Sequence, residues 1–316
     1  MSVVRRALVA SAPSRLDFGG GWTDVPPYPE ERGGFVCNLA INRRATVQLS
    51  HGASSASDDR LVSAALRRAG VTDLNVALAS DFPVGAGLGG SSAAGVALAA
   101  ALHAYRFPHA PPDATQLAEW SRAVEVDELG IAGGRQDHYA AAYGGALALT
   151  FESDTRVERI PLSAAATAQL ERQCLLAYTG ESRISGTTIT AVLDAYRDRV
   201  PRVLAALDRM AQLARQMRDA LHDGAVDTLA ALVDEHWRHQ RGLHPGITTA
   251  RIDALEHAAR AAGAVGMKAL GASGGGCVIV FAPDERVDET ASAIAPFATL
   301  LSWRVDPRGA IVTSEG

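Results

Sequence analysis

Residues 81–95 read DFPVGAGLGGSSAAG, with five glycines and two serines in fifteen positions, and lead into the apolar run VALAAALHAY (96–105). Bare backbone at the head of a helix suits a phosphate group. The first helical turn offers unpaired N–H groups and the positive end of the helix dipole, and glycine lets the main chain approach closely. A capped helix after a flexible loop is the plain alternative. Gly85, Gly87 and Gly90 also satisfy GxGxxG formally. A dinucleotide site, however, wants an acidic residue about 20 positions further on, and no Asp or Glu occurs between Phe82 and Pro112. Pro83 sits where the strand of such a unit should still be running, and no GK[ST] follows, so a Walker A loop is absent as well.

Working outward, two more glycine-rich stretches appear: SAPSRLDFGGGWTDVPPY (11–28) and KALGASGGGCVIVF (268–281). Three such loops, at the start, middle and end of a chain, are hard to explain as turns. Between them, β-like runs at 6–13, 45–50, 74–80 and 145–151 mix with apolar-periodic stretches at 91–106 and 114–129. Residues 185–263 read mainly as helices, with Pro201 suited to a first turn and Gly263 to a C′ stop. Further β-like runs follow at 265–271, 276–282 and 299–305. The pattern predicts an α+β protein of two lobes, with a boundary in 152–175 that is set at 1–160 and 161–316.

The 316 residues are 47% hydrophobic and carry a net charge of −5. No overall basic field attracts nucleic acid or anionic lipid, so an anionic ligand has to be held by local cations and backbone amides. Cys37, Cys174 and Cys277 lie far apart with no CxxC, which argues against a disulfide framework or a zinc site. The apolar run after Arg5-Arg6 is shorter than a signal peptide needs, and no stretch approaches the ~20 residues of a membrane span. A cytoplasmic protein is expected, with no nucleic-acid or membrane partner. Lys268 is the only lysine.

With these stretches in view, the chain resembles the GHMP kinases, the family of galactokinase, homoserine kinase and mevalonate kinase. The resemblance rests on Pro13-Ser14-Arg15 with Asp24 nine positions after the arginine, on Pro83 through Gly87-Leu88-Gly89-Gly90-Ser91-Ser92, and on Lys268 through Gly271, Gly274-Gly275-Gly276-Cys277. It implies a two-lobed fold, with an N-terminal ribosomal-S5-domain-2-like lobe, a C-terminal ferredoxin-like lobe and the active site in the cleft. It also implies ATP and Mg²⁺. Pro83, Gly85, Gly87, Leu88, Gly89, Gly90, Ser91 and Ser92 would cradle the triphosphate, and Gly274 and Gly275 would close the site. Glu125 and Asp137, twelve residues apart, resemble a metal-binding Glu paired with a catalytic Asp. Ser91, with Ser92 as the less favoured choice, and Glu125 would then hold Mg²⁺. Asp137 would accept or orient the proton of the sugar hydroxyl, and Arg15 would stabilise that carboxylate and the developing charge.

Two readings of the substrate stay open. Gly20-Gly21-Trp22-Thr23-Asp24-Val25-Pro26-Pro27-Tyr28 looks like fucokinase. Arg135-Gln136-Asp137 and Tyr178-Thr179-Gly180 with Arg183 look like the heptose 7-phosphate kinases, and His138 replaces the more usual glutamine after the aspartate. The resemblance implies a sugar 1-kinase, with a heptose 7-phosphate or a related octose phosphate ahead of a free hexose such as fucose. Asp24, Trp22, Gly21, Thr23 and Gln136 would contact the sugar, and Arg135, Arg183 or the pair Arg43-Arg44 would supply a cation for a substrate phosphate. Solvated surface arginines and a structural Lys268 are the bland readings. A non-catalytic sugar or nucleotide sensor on the same scaffold is the rival from another class. The expected assembly is a monomer or homodimer.

Overall fold

The computed structural model describes residues 8–52, 59–131, 133–181 and 186–314. Along the chain, β1 (Leu8–Gly19) leads through α1 (Tyr28–Arg32) into the long β2 (Gly34–His51), α2 (Arg60–Ala69) and β3 (Leu74–Ser80). Next come α3 (Gly90–Arg106), α4 (Ala114–Ala123), a π-helical turn (Val124–Glu128), α5 (Gln136–Tyr143), and the hairpin β4 (Ala146–Phe151) and β5 (Thr155–Ile160). The second half runs α6 (Ala164–Gln173), β6 (Cys174–Tyr178), α7 (Gly186–Arg197), α8 (Pro201–His222), α9 (Val226–Arg241) and α10 (Ala250–Ala261). It closes with β7 (Gly266–Ala269), β8 (Cys277–Phe281), α11 (Val287–Ile294), β9 (Thr299–Leu301) and β10 (Ile311–Ser314).

Two antiparallel sheets result. One has the order β10-β1-β2-β4-β5, with β3 on the far half of β2; the other has the order β7-β8-β6-β9. The expectation of a two-lobed α+β fold holds. The chain's final strand returns to the first sheet, pairing Ile311 with Ser11 and Val312 with Ala10. Successive residues of β1 from Ala12 to Gly19 are all buried, so both faces of that strand are covered. Helices α3 and α8 both pack on β1 and β2. Residues Ser92 to Leu102 of α3 are buried all round, as expected for a small-residue helix in the centre of a core rather than at its surface.

The β1–β2 pairing is irregular at two places. Its register shifts between Pro13 and Ser14 and again between Asp17 and Gly19, and bulges of this kind re-aim side chains. The helix expected over 114–129 becomes α4 plus the π-helical turn, and the strand expected over 299–305 is only Thr299–Leu301. Among the described residues, no helix is long and apolar enough to cross a membrane. All three cysteines are buried free thiols.

Candidate active site

The loop between β3 and α3 lies along a cavity of about 690 Å³ that reaches from β1 to α5. Gly85, Gly87 and Gly89 have φ of 71°, 74° and 72°, a left-handed conformation that glycine adopts without strain. No side chain caps α3 at Gly89, so the first amides of this helix stay available to a ligand. The third glycine-rich loop braces the second from behind. Cys277 N–H donates to Ala86 O at 2.7 Å, and a Cβ on Gly87 would stand 2.7 Å from Leu270 O. Gly274 and Gly275 do not line the cavity: Gly274 N–H donates to Ile247 O, and Gly275 packs on the Glu181 backbone. Gly271 and Ala272 of the same loop do reach the cavity wall.

Just past the first bulge of β1, Arg15 turns into this space. Its Nε and Nη2 both stand 2.7 Å from Asp137 Oδ1, and Nη1 donates to Gly87 O at 2.6 Å. The Arg15 N–H also donates to Leu88 O at 3.0 Å. One buried guanidinium thus ties the first turn of α5 to the glycine loop. Asp137 keeps 25% of its side chain exposed. It lies against Gly89, where a Cβ would sit 3.1 Å from its carboxyl carbon.

The π-helical turn carries Glu125 to the cavity wall, where its Oε2 lies 3.4 Å from Ser92 Oγ. Burial pushes the Glu125 carboxyl up to about 7, and the Asp137 charge adds to that. Ser92, rather than Ser91, is therefore the hydroxyl beside Glu125; Ser91 is exposed at the cavity mouth. Among the described residues, no three His, Cys, Asp or Glu side chains gather as a metal centre. Mg²⁺ on a polyphosphate asks less, because it takes one or two protein oxygens and keeps phosphate oxygens and waters. A converging carboxylate and hydroxyl fit that demand. Behind them, His138 is buried, with Nδ1 3.0 Å from Ser121 Oγ and Nε2 3.4 Å from both Ser92 Oγ and Glu125 Oε2. Burial drives its pKa down to about 3, so the ring is neutral near pH 7.

At the other end of the cavity lie Asp17, Gly21, Trp22, Asp24 and Gln136. Asp24 Oδ2 accepts the Gln136 N–H at the start of α5, at 3.0 Å, and burial raises its carboxyl to about 7. Gly134 is required here because a Cβ would run into the Asp24 carboxylate. Asp17 accepts from Lys268 Nζ at 2.7 Å through both Oδ2 and its backbone carbonyl. Burial alone would raise the Asp17 carboxyl, but the Lys268 and Arg15 charges outweigh it and hold the group low. Lys268 is fully buried and acts as the counter-charge of Asp17. Trp22 has φ of 81° and a buried Nε1–H without an acceptor; its ring joins the second hydrophobic cluster while bordering the cavity.

Some expected contacts are not brought to the cavity. The Thr23 hydroxyl donates to Gly20 O and accepts from Phe35 N–H, so it braces the loop. Arg135 reaches Glu30 and Thr155, each at 3.4 Å, and does not line the cavity. Arg43 is held by Ser302 and Asp81, and Arg44 by Ser11, Asp306 and Gly309. Arg183 lies outside the described residues. Sequence reasoning missed Asp17, whose partner is 251 positions away. It also missed the apolar end built by Leu61, Leu78, Phe82 and Ile131; nothing in those residue types marks them out.

The family model "GHMP kinases N terminal domain" matches residues 59–145, and "GHMP kinases C terminal" matches residues 217–297. A bifunctional fucokinase/GDP-fucose pyrophosphorylase of Arabidopsis thaliana is 27% identical over 86% of this chain and 29% of its own length. A D-glycero-alpha-D-manno-heptose 7-phosphate kinase of Campylobacter jejuni is 29% identical over 64% of this chain and 59% of its own. The match thus spans less than two thirds of either relative. A D-glycero-D-manno-heptose 1-phosphate kinase from Bacteriodes thetaiotaomicron superposes with a TM-score of 0.78, covering 98% of this chain and 99% of that one. At 21% identity, that likeness speaks for the fold.

Proposed function

Because this chain belongs to the GHMP kinase family, we propose that it transfers the γ-phosphoryl group of ATP to the anomeric hydroxyl of an aldose. The observation that carries this reading is the Arg15 clamp, which holds Asp137 against the glycine loop that opens α3. A carboxylate beside a phosphate cradle is what an alcohol needs in order to attack phosphorus.

In this reading the loop amides of 85–92 and the N-terminus of α3 bind the triphosphate, and the apolar end at Leu61, Leu78 and Phe82 receives the base. Ser92 and Glu125 would hold Mg²⁺, which neutralises phosphate charge when bound. The sugar oxygen attacks the γ-phosphorus, the bond to the β,γ-bridging oxygen breaks, and ADP leaves. Asp137 orients the hydroxyl and takes its proton. Phosphoryl transfer has a loose transition state, so positioning does more than strong basicity. Arg15 fixes the carboxylate and lies beside the developing charge. Asp24 and Gln136 meet the remaining hydroxyls of the sugar.

The charge lining the cavity bears on the acceptor. Among the described residues that line it, Arg15 is the only cation and is engaged by Asp137 and Gly87, whereas Asp17, Asp24, Asp59, Glu125 and Asp137 are acidic. Among the described lining residues a second phosphate on the sugar finds no free guanidinium, and Arg183 lies outside them; on the described residues we place an unphosphorylated aldose ahead of a heptose 7-phosphate. That reverses the order expected from the sequence. The heptose phosphate remains the second reading because Arg135 directly precedes Gln136-Asp137.

A coupled ADP-release assay tests both levels, with fucose, mannose, a free heptose, heptose 7-phosphate and mevalonate as acceptors and ³¹P NMR to locate the product phosphate. Sugar-dependent ADP release with an anomeric phosphate is expected, with kcat/KM for the best free aldose at least about tenfold above heptose 7-phosphate. Preference for the phosphorylated sugar would reverse the acceptor order. Turnover with mevalonate alone would keep the kinase and remove the sugar, and no acceptor-dependent turnover at all would remove the kinase reading and favour a sensor.

A further inference from the structure

We propose that His138 is a positioning residue that holds Ser92 and Glu125 together as one pair of metal ligands. The inference rests on the kinase reading above and goes beyond it, since the roles so far assigned stop at residues that touch nucleotide, metal or sugar.

The geometry forms a chain of supports. His138 Nε2 stands 3.4 Å from Ser92 Oγ on α3 and 3.4 Å from Glu125 Oε2 on the π-helical turn. These two oxygens come from different elements, and His138, on α5, is the side chain that touches both. Its other nitrogen lies 3.0 Å from Ser121 Oγ on α4. Ser121 in turn fits only because residue 95 on α3 is glycine, where a Cβ would run into the Ser121 hydroxyl. A neutral imidazole has one N–H and one lone pair. A Ser121 hydroxyl that donates to Nδ1 leaves the proton on Nε2, which then points at the Ser92–Glu125 pair. Contacts of 3.4 Å are long for hydrogen bonds, so His138 acts by placing the two oxygens rather than by the strength of its own bonds. Partners of this kind fix the orientation of metal ligands, and losing one costs 10–100-fold in metal affinity. Glutamine offers an amide N–H at similar reach, whereas leucine fills the space with no donor.

The test separates ATP binding from its magnesium-dependent gain, by calorimetry with ATP alone and with ATP plus Mg²⁺. In His138→Leu that gain should fall by about tenfold or more, while metal-free ATP affinity stays within about threefold. His138→Gln should recover most of the gain. If His138→Leu does not fold, Ser121→Ala reads the same quantity, with a smaller fall in the same direction. A folded His138→Leu with the wild-type magnesium gain would overturn the proposal. So would a glutamine variant as poor as the leucine one, or an equal loss of both affinities together with a lower Tm, which marks mere packing. No magnesium effect in the wild type would remove the kinase reading itself, and this inference with it.

Discussion

Asp24 is a carboxyl kept out of water at the proposed sugar end of the cavity, and burial raises its pKa from 3.8 to about 7. An acid that holds its proton to higher pH in the folded chain than in the unfolded one favours folding at low pH. That contribution is lost as pH rises from about 4 to about 7. The ligand-free protein should therefore lose stability across this window, with Glu125 acting in the same direction. Asp24→Asn removes the buried charge, so its Tm at pH 8 should exceed that of the wild type by roughly 2–6 °C, while kcat/KM for the sugar falls at least about 100-fold. A variant less stable than wild type at pH 8 would give Asp24 a structural role instead. Asp137→Asn keeps the shape but not the charge; it should lower kcat by about 100-fold or more and leave ATP affinity within a few-fold. Near-normal turnover would remove Asp137 from the mechanism. That Arg15, Glu125 and Asp137 meet at one cavity was legible in the sequence because each matches a motif of the family that the chain resembles. Asp17 and the supporting place of His138 were not, because their partners are set by tertiary packing.

At the scale of elements, the two glycine loops are built back to back, and a left-handed φ means different things at different glycines. Gly70 ends α2 with φ of 64° and has open space where a Cβ would stand, whereas Gly87 has φ of 74° and Leu270 O at 2.7 Å from that position. Gly70→Ala should cost only the backbone strain, about 1–2 kcal/mol. Gly87→Ala should cost more than that and also weaken ATP binding by at least about tenfold, because its displacement moves the loop that Arg15 grips. Chemical denaturation and calorimetry on the pair check this; equal effects would contradict the assignment of 85–92 as the cradle. Helix starts and stops such as Pro201 and Gly263 followed local chemistry and could be read directly. The π-helical turn that presents Glu125 could not, since its extra residue answers to packing around the site. The sequence pointed to Ser91 as the metal ligand, yet only the winding of α3 decides which hydroxyl faces Glu125. Thr23 sits inside a motif but is held by the turn that the motif needs.

At the scale of the whole molecule, the two halves share the larger of two hydrophobic clusters. Phe18, Phe35 and Leu147 from the first half cluster with Leu213, Met217 and Leu229 from α8 and α9, and the last strand completes the first sheet. The lobes were visible as a change from β-rich to helix-rich sequence, but the return of the terminal strand was not, because four residues carry no distance information. A fragment of residues 1–160 should therefore fail to fold alone, and the full chain should melt in one transition seen alike by near- and far-UV circular dichroism. Two separated transitions would contradict a shared core. In the proposed reading, one buried arginine brings a phosphate cradle and a catalytic carboxylate to the same point. A crystal structure of the protein with Mg²⁺ and a non-hydrolysable ATP analogue tests it most directly. The triphosphate should lie on the amides of residues 85–92 with its γ-phosphorus within about 6 Å of the Asp137 carboxylate, close enough for a sugar oxygen to lie between them. Phosphates bound elsewhere, or a γ-phosphorus more than about 10 Å from Asp137, would contradict it.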